Sequence, residues 1–293
     1  MTLSKRHHYL PQFYIKGFVG NDGKVAVFNK DLGKIENLRK SPKQIFFEWN
    51  RNTFEIKGNK SDFIEKLHTF GENKFAPTYK KLTENIEDIN LTGYDVFQLM
   101  LFIATIYRRI PEQNQSAIEY VKNLTQKNSF IGLKNNETGE DAPNELFERM
   151  KNEPFFTESS KIIRSMEDYL KVNRVKNAKN WKLSYPPVDS VQLHLLSDNP
   201  LIIENTSEKK ILDSISIFPL SKGITVYHSG DKELKQILAE NTVCVDILSF
   251  IQAEKLVCGP DSDYLEIISE LAKNYNTERK IEILKGEVFK IFE

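Results

Sequence analysis

The chain has 293 residues, is 40% hydrophobic, and carries 41 Lys plus Arg against 41 Asp plus Glu, enough for one large domain or two modest ones with an ordinary core. Charge balance excludes a global positive field, so any contact with nucleic acid or a nucleotide has to use a local patch. The most apolar run, "FQLMLFIATIY" at 97–107, falls far short of the roughly 20 residues that cross a bilayer and reads as a buried helix.

In chain order, "KRHHYLPQFYIKGF" at 5–18 predicts a short helix that begins at Pro11 and runs to about Phe18, with Tyr14 and Phe18 on one face. His7 and His8 precede it in extended geometry and point in opposite directions, so only one of them easily faces a given pocket. "KVAVFNKDLGKIENL" predicts a β-hairpin, and "IFFEWNRNTFEIKGN" an irregular or extended continuation. A helix is expected from Asp62, with Asp62 as cap and Glu65 three residues on. Its stripe is Ile64, Leu67, Gly71, Phe75, Tyr79, Leu82 and Ile86, and Pro77 is expected to kink or split it. A second helix starts near Thr92 and runs to "YRRIPEQ", where Pro111 forces a break.

The polar segment at 133–145 is expected to be a mobile loop, and helical patterns return in "FERMKNEP" and "TESSKIIRSMEDYLKV". "NRVKNAKNWK" is a basic stretch with Arg174, Lys176, Lys179 and Lys182 beside Trp181. Beyond Pro186 and Pro187 the period drops to two around Val191, Leu193 and Leu195, and "LIIEN", "SISIFPL" and "ITVYHS" read as strands. Helices are expected near 231–240, 243–257 and 261–275, then a last strand in "KIEILKGEVFKIF". The elements lack βαβ alternation and predict one α+β domain over 1–293: an N-terminal β-hairpin, a central helical bundle and a mainly antiparallel C-terminal sheet with helices.

Five histidines are present, and His7 and His8 are candidates for acid, base or ligand, or else for packed interior groups. Glu65 and Glu72, seven residues apart, share a helix face and could do acid–base work or hold a divalent cation; the plain alternative is a capping Glu65 and a solvated Glu72. Arg108 and Arg109 complement the negative end of a helix dipole. Arg109 is also a candidate fork for a phosphate or carboxylate, with an internal salt bridge to Glu72 or Asp198 as the alternative. In "SDNP" the Asp and Asn are expected to bond their own backbone, while Asp198 beside His7 or His8 would orient the ring. Gln12, Arg108, Asn199 and Trp181 complete the candidates as substrate-binding residues, Trp181 by stacking on a base. His68, His194 and His228 show no metal-ligand spacing, and Cys244 and Cys258 read as packing residues. No P-loop, dinucleotide glycine fingerprint or GxSxG elbow occurs.

"HHYLPQFYIKGF" followed by a hairpin with "VFNK" resembles the start of the bacterial family catalogued as domain of unknown function 4238. Glu65 to Glu72, "YRRIPE", "LLSDNPLII" and "FPLSKGITVYH" look like later parts of the same pattern, so the resemblance spans roughly residues 6 to 258. The chain departs from the family at "DILSF", where an Asn is common. The family has no function to hand over; its kind implies a bacterial, cytoplasmic role in a defence or toxin context. A cytoplasmic setting also fits the two late cysteines and the opening "MTLSKRHHYL", which lacks an apolar core.

Two functions are carried forward. The first is a hydrolase or nuclease-like effector on a phosphate-containing substrate, with His7 or His8 as acid–base, Arg109 as clamp, and Asp198 with Glu72 as orienting carboxylates. The second is a non-catalytic binding or interaction module in which these residues form a structural polar network. Convergence of His8, Arg109 and Asp198 in an open pocket favours the first; mutual satisfaction in a closed interior favours the second.

Overall fold

In the computed structural model, which describes residues 5–56, 59–84, 92–129, 132, 134–135, 137–172, 178–185, 194–205 and 210–292, the opening motif forms strand β1 (Arg6–His8) and helix α1 (Gln12–Lys16). Pro11 stands one position earlier than expected, as the extended residue before the helix. The predicted hairpin is present as β2 (Ala26–Asn29) and β3 (Lys34–Ile35). Strand β4 (Phe47–Trp49) pairs antiparallel with β1, setting His7 opposite Glu48 and His8 opposite Phe47. Phe46 and Asn50 bracket β4, both with φ of 55°. Asn tolerates that left-handed conformation, whereas a bulky Phe is strained there and is held by its burial. A small ribbon, β5 (Phe54–Ile56) with β6 (Asn59–Ser61), leads into the helices.

The bundle comprises α2 (Phe63–Glu84), α3 (Gly93–Arg109), α4 (Asn114–Lys122), α5 (Asn144–Lys151) and α6 (Pro154–Lys171). Pro77 lies inside α2 and does not split it, because Phe75, Thr78, Tyr79 and Leu82 on either side are buried and hold the helix across the missing hydrogen bond. Thr92 caps α3 in a reciprocal box with Asp95, and Ile110 leaves the helix in extended geometry before Pro111.

Two four-stranded antiparallel sheets follow. One has the order β7–β11–β10–β9, with β7 (Trp181–Ser184), β9 (Ile202–Ile203), β10 (Ser216–Ser221) and β11 (Ile224–His228). The other has the order β3–β2–β12–β8, with β8 (Leu196–Ser197) and β12 (Leu256–Gly259). Every residue of β10 and β11 is buried, because alternate side chains feed two cores. Phe218, Leu220, Ile224 and Val226 pack with α1, α2 and α3, and Ile217 and Tyr227 pack with the C-terminal helices α7 (Ala239–Gln252), α8 (Ser262–Ala272) and α9 (Glu278–Phe289).

The C-terminal third corrects three expectations. Residues 231–238 form a turn and an isolated bridge, Leu234 to Phe292, not a helix. Leu256 and Val257, expected at the end of a helix over 243–257, instead open the strand β12 (Leu256–Gly259). Val257 enters one core and Cys258 the other, a short apolar run whose period does not separate strand from helix. The expected last strand is the helix α9: Thr277 accepts the Lys280 N–H at its start, and Leu284 and Val288, one turn apart, are buried. The alternation at 191–193 lies outside the described residues. In the segment at 133–145, Lys134 bridges to Asp141 and Asn135 Oδ1 accepts the Glu137 N–H at 2.8 Å.

The aromatic residues of the opening motif lock α1 into the first core. Tyr14 stacks on Phe218 at 5.4 Å between centroids, meets Phe18 and Phe102 edge-on, and donates its hydroxyl to the Pro219 carbonyl at 2.6 Å. Gly17 makes this approach feasible, since a Cβ there would overlap the Tyr79 hydroxyl and touch Ser221. Gly17→Ala is therefore expected to lower the unfolding free energy in urea by about 1–3 kcal/mol through overpacking.

Candidate functional site

The side chains of Glu65, His68 and Glu72 share one stripe of α2, which faces the end of α3. Arg109 Nη1 lies 2.6 Å from Glu72 Oε1 and its Nη2 4.0 Å from Glu65 Oε2. Glu65 Oε2 also accepts from Asn52 Nδ2 at 2.8 Å, while the Asn52 N–H donates to His7 Nδ1 at 2.7 Å. Glu65 is thus used for tertiary contacts and not as the expected cap; Asp62 pairs with Lys66 at 2.7 Å. His8 lies near enough to the cluster for the Arg109 and Glu65 charges to act on it, and its Nδ1 is 3.5 Å from Gln12 Nε2. Burial, and then the Arg109 charge, hold the His8 imidazole below its usual value, with Glu65 opposing. Burial, followed by Arg109, Arg51 and Lys161, pushes His68 well down, so His68 is neutral.

A second layer adjoins the first. Lys161 Nζ donates to Asn114 Oδ1 and Glu158 Oε1, both at 2.6 Å. Arg51 donates to the same Asn114 oxygen at 3.1 Å and to Glu158 Oε2 at 3.4 Å, and its Nη1 is 3.0 Å from Glu48. Burial and the Arg51 charge push Lys161 down to about 8. Sequence reasoning missed His68, although the Glu-x-x-His-x-x-x-Glu spacing displays it on the stripe. Arg51, Asn52, Glu158 and Lys161 left no such signal, since they come together only through tertiary folding.

The sequence-named residues separate into four places. His7 joins Glu65, Glu72 and Arg109 through Asn52, and His8, with Gln12 beside it, lies close enough for the Arg109 and Glu65 charges to act on it. Arg108 turns to the other side of α3, forming a two-pronged pair with Asp168 at 2.6 and 2.9 Å, so it does not face the cluster. Asp198 is elsewhere again. Instead of bonding its own turn or a histidine, it accepts the N–H groups of Glu254, Lys255 and Leu256 at 2.7–2.9 Å, while Asn199 donates to Glu112. Trp181 is buried against His228, 4.8 Å between centroids, and offers no open face for a base. Arg174 and Lys176 lie outside the described residues. The expectation that His8, Arg109 and Asp198 meet is therefore corrected: Asp198 is elsewhere, Arg109 is held by Glu72 and Glu65, and His8 only feels the Arg109 charge.

A divalent cation does not fit. Arg109 already supplies the positive charge between Glu65 and Glu72, and among the described residues no group of three or more His, Cys, Asp or Glu is arranged to hold a metal ion. His194 has found a different use. Thr225 Oγ1 is 2.5 Å from its Nε2 and Asp246 Oδ1 is 3.4 Å from its Nδ1, while Tyr264 donates to Asp246 Oδ2 at 2.7 Å. This hydroxyl–imidazole–carboxylate order ties β11 to α7 and α8 in a closed interior, where Thr225 and Asp246 are 1% and 0% exposed.

Helices and antiparallel sheets in this arrangement define an α+β protein. The chain belongs to the family described as protein of unknown function DUF4238, whose model matches residues 6–278. No curated protein and no solved structure matches it. Among the described residues, no helix is long and apolar enough to cross a membrane.

Proposed function

We propose that the protein is a non-catalytic binding module and that its motif residues form the polar joint which pins the β1–β4 ribbon to the helical bundle. The observation that carries this reading is the state of Arg109, which is 3% exposed and already held by Glu72 and Glu65. A phosphate would have to displace a carboxylate to reach it. Nor does the local field favour an anion, since Arg51, Arg109 and Lys161 are set against Glu48, Glu65, Glu72 and Glu158. The open surface next to the joint is a cleft of about 610 Å³ between α4, α5 and α6, whose wall includes Asn114 and Glu158. Its size suits a partner side chain or a small molecule.

A hydrolase or nuclease-like activity on a phosphate-containing substrate, with nucleic acid or a nucleotide as partner, is the second reading. It is favoured by one buried atom of the cluster, Asn52 Oδ1, that lacks a hydrogen-bond partner among the described residues. A bacterial, cytoplasmic role in a defence setting accompanies either reading, with Cys244 and Cys258 both free thiols.

The test is to incubate the wild type and His8→Ala with RNA, DNA and nucleotides, with and without Mg²⁺, and to record thermal melting of both. The module reading expects no turnover and a lowered Tm for His8→Ala. Turnover by the wild type, abolished in a variant of unchanged Tm, would overturn it in favour of the hydrolase.

A further inference from the structure

The β1–β4 ribbon has two faces, and the polar joint uses one of them. Residues directly opposite each other in an antiparallel pair point to the same side, so His7 and Glu48 face the joint while Arg6, His8, Phe47 and Trp49 share the other face. On that second face Trp49 is 59% exposed, an unusual setting for a side chain that folded proteins mostly bury. Its ring meets Phe47 edge-on at 5.5 Å between centroids, and the Arg6 guanidinium lies 5.1 Å from the centroid of each ring. Arg6 Nη1 also donates to the Lys43 carbonyl at 3.4 Å, which sets Lys43, exposed in the 3-10 turn Pro42–Gln44, beside the two rings.

The charge on this face is positive. None of its four ribbon residues is a carboxylate, since Glu48 turns to Arg51 on the joint side at 3.0 Å. An acidic peptide would engage the cations and leave the indole idle. A nucleic-acid single strand uses both, because unstacked bases lie on aromatic and guanidinium planes while phosphates take the cations. We propose that this face binds single-stranded nucleic acid, with a base stacked on Trp49 and the flanking phosphates on Arg6 and Lys43. It is the kind of local patch that a charge-balanced chain requires for such a ligand. The face shares no residue with the cleft between α4, α5 and α6 and lies opposite the joint, so it stands under either reading of the joint.

The experiment titrates the full chain, in EDTA so that binding and not turnover is read, with oligothymidylate and oligouridylate of about 12 nucleotides. A DNA duplex of the same length and polyglutamate serve as comparisons. Tryptophan emission is the readout: Trp181, the other tryptophan, is buried, so quenching by a stacked base belongs to Trp49. Saturable binding of at least one single strand with quenching is expected, and weaker binding of duplex and polyglutamate. Trp49→Ala should weaken the single strand about tenfold and abolish the quenching. Lys43→Gln should keep the quenching and lower the slope of log affinity against log salt by about 0.7, the share of one phosphate contact on a single strand. Lys43 is exposed, so this variant should melt as the wild type does. The proposal is overturned by no saturable binding of either strand, by equal binding of duplex or polyglutamate, by unchanged affinity in a Trp49→Ala protein of wild-type melting, or by an unchanged salt slope in Lys43→Gln.

Discussion

Arg108→Ala is expected to lower the unfolding free energy by about 3–5 kcal/mol, the cost of leaving a buried carboxylate without its partner. Asp168 and Arg108 have side chains only 8% and 9% exposed and share two hydrogen bonds across α3 and α6. The guanidinium also lies 5.2 Å from the Tyr107 ring centroid. The large loss comes from the stranded Asp168 and not from the net value of the pair, so the double replacement Arg108→Met with Asp168→Leu should recover most of it, ending near the wild type. Arg109→Ala should cost less, because Glu72 and Glu65 keep 25% and 19% of their side-chain surface in water and hydrate when released. Guanidinium unfolding of the four proteins checks the order. If the double variant were as unstable as Arg108→Ala, the loss would lie in packing at this crossing and the account of a stranded charge would fail.

These two arginines also show what a sequence can and cannot tell. Their place at the end of an apolar helix was legible, and the pairing of Arg109 with Glu72 was one of two open alternatives. The choice between them was not, because it depends on how α2 crosses α3, and neighbouring residues on a helix face different directions. The hairpin, both long helices, β10 and β11 were legible from period and capping, where local preference and tertiary packing agree. Asp198 was misread for the opposite reason. The turn explains an Asp locally, but its oxygens serve N–H groups 56 to 58 residues away. The same holds for Arg51 and Glu158, which meet across 107 residues. The C-terminal errors arose where both periods fit: Leu256–Gly259 is apolar throughout, and α9 mixes alternating charges with a helical stripe.

Between about pH 6.5 and pH 4 the protein should lose stability steadily, with a His68 share approaching about 1.4 kcal/mol per pH unit. His68 has a folded value well below 6.5, because it is buried and faces Arg109, Arg51 and Lys161. Above 6.5 it is neutral in both states and contributes no pH dependence. Below 6.5 the unfolded chain takes up a proton that the folded chain refuses, so the unfolded state gains. His8 and His228, also held below 6.5 by burial, add in the same direction until they are protonated in the fold. Asp62 and Asp95 titrate lower in the fold than in the unfolded chain, so their loss begins only near 4 and leaves this window to the histidines. Asp198 and Glu112, pushed up, act in the opposite sense towards its acidic end, which is why the difference between two proteins is the informative quantity. Urea unfolding of the wild type and His68→Gln from pH 4.5 to 8 should give curves that run parallel above 6.5 and converge below it, as the wild type loses the advantage of its neutral imidazole. Lys161, lowered to about 8, behaves likewise in a higher window: stability rises as the pH climbs from about 8 to 10.5, where only the unfolded chain keeps the proton. Curves for the wild type and His68→Gln that stay parallel down to pH 4.5 would mean that His68 accepts its proton inside the fold, with Glu65 and Glu72 outweighing the surrounding cations.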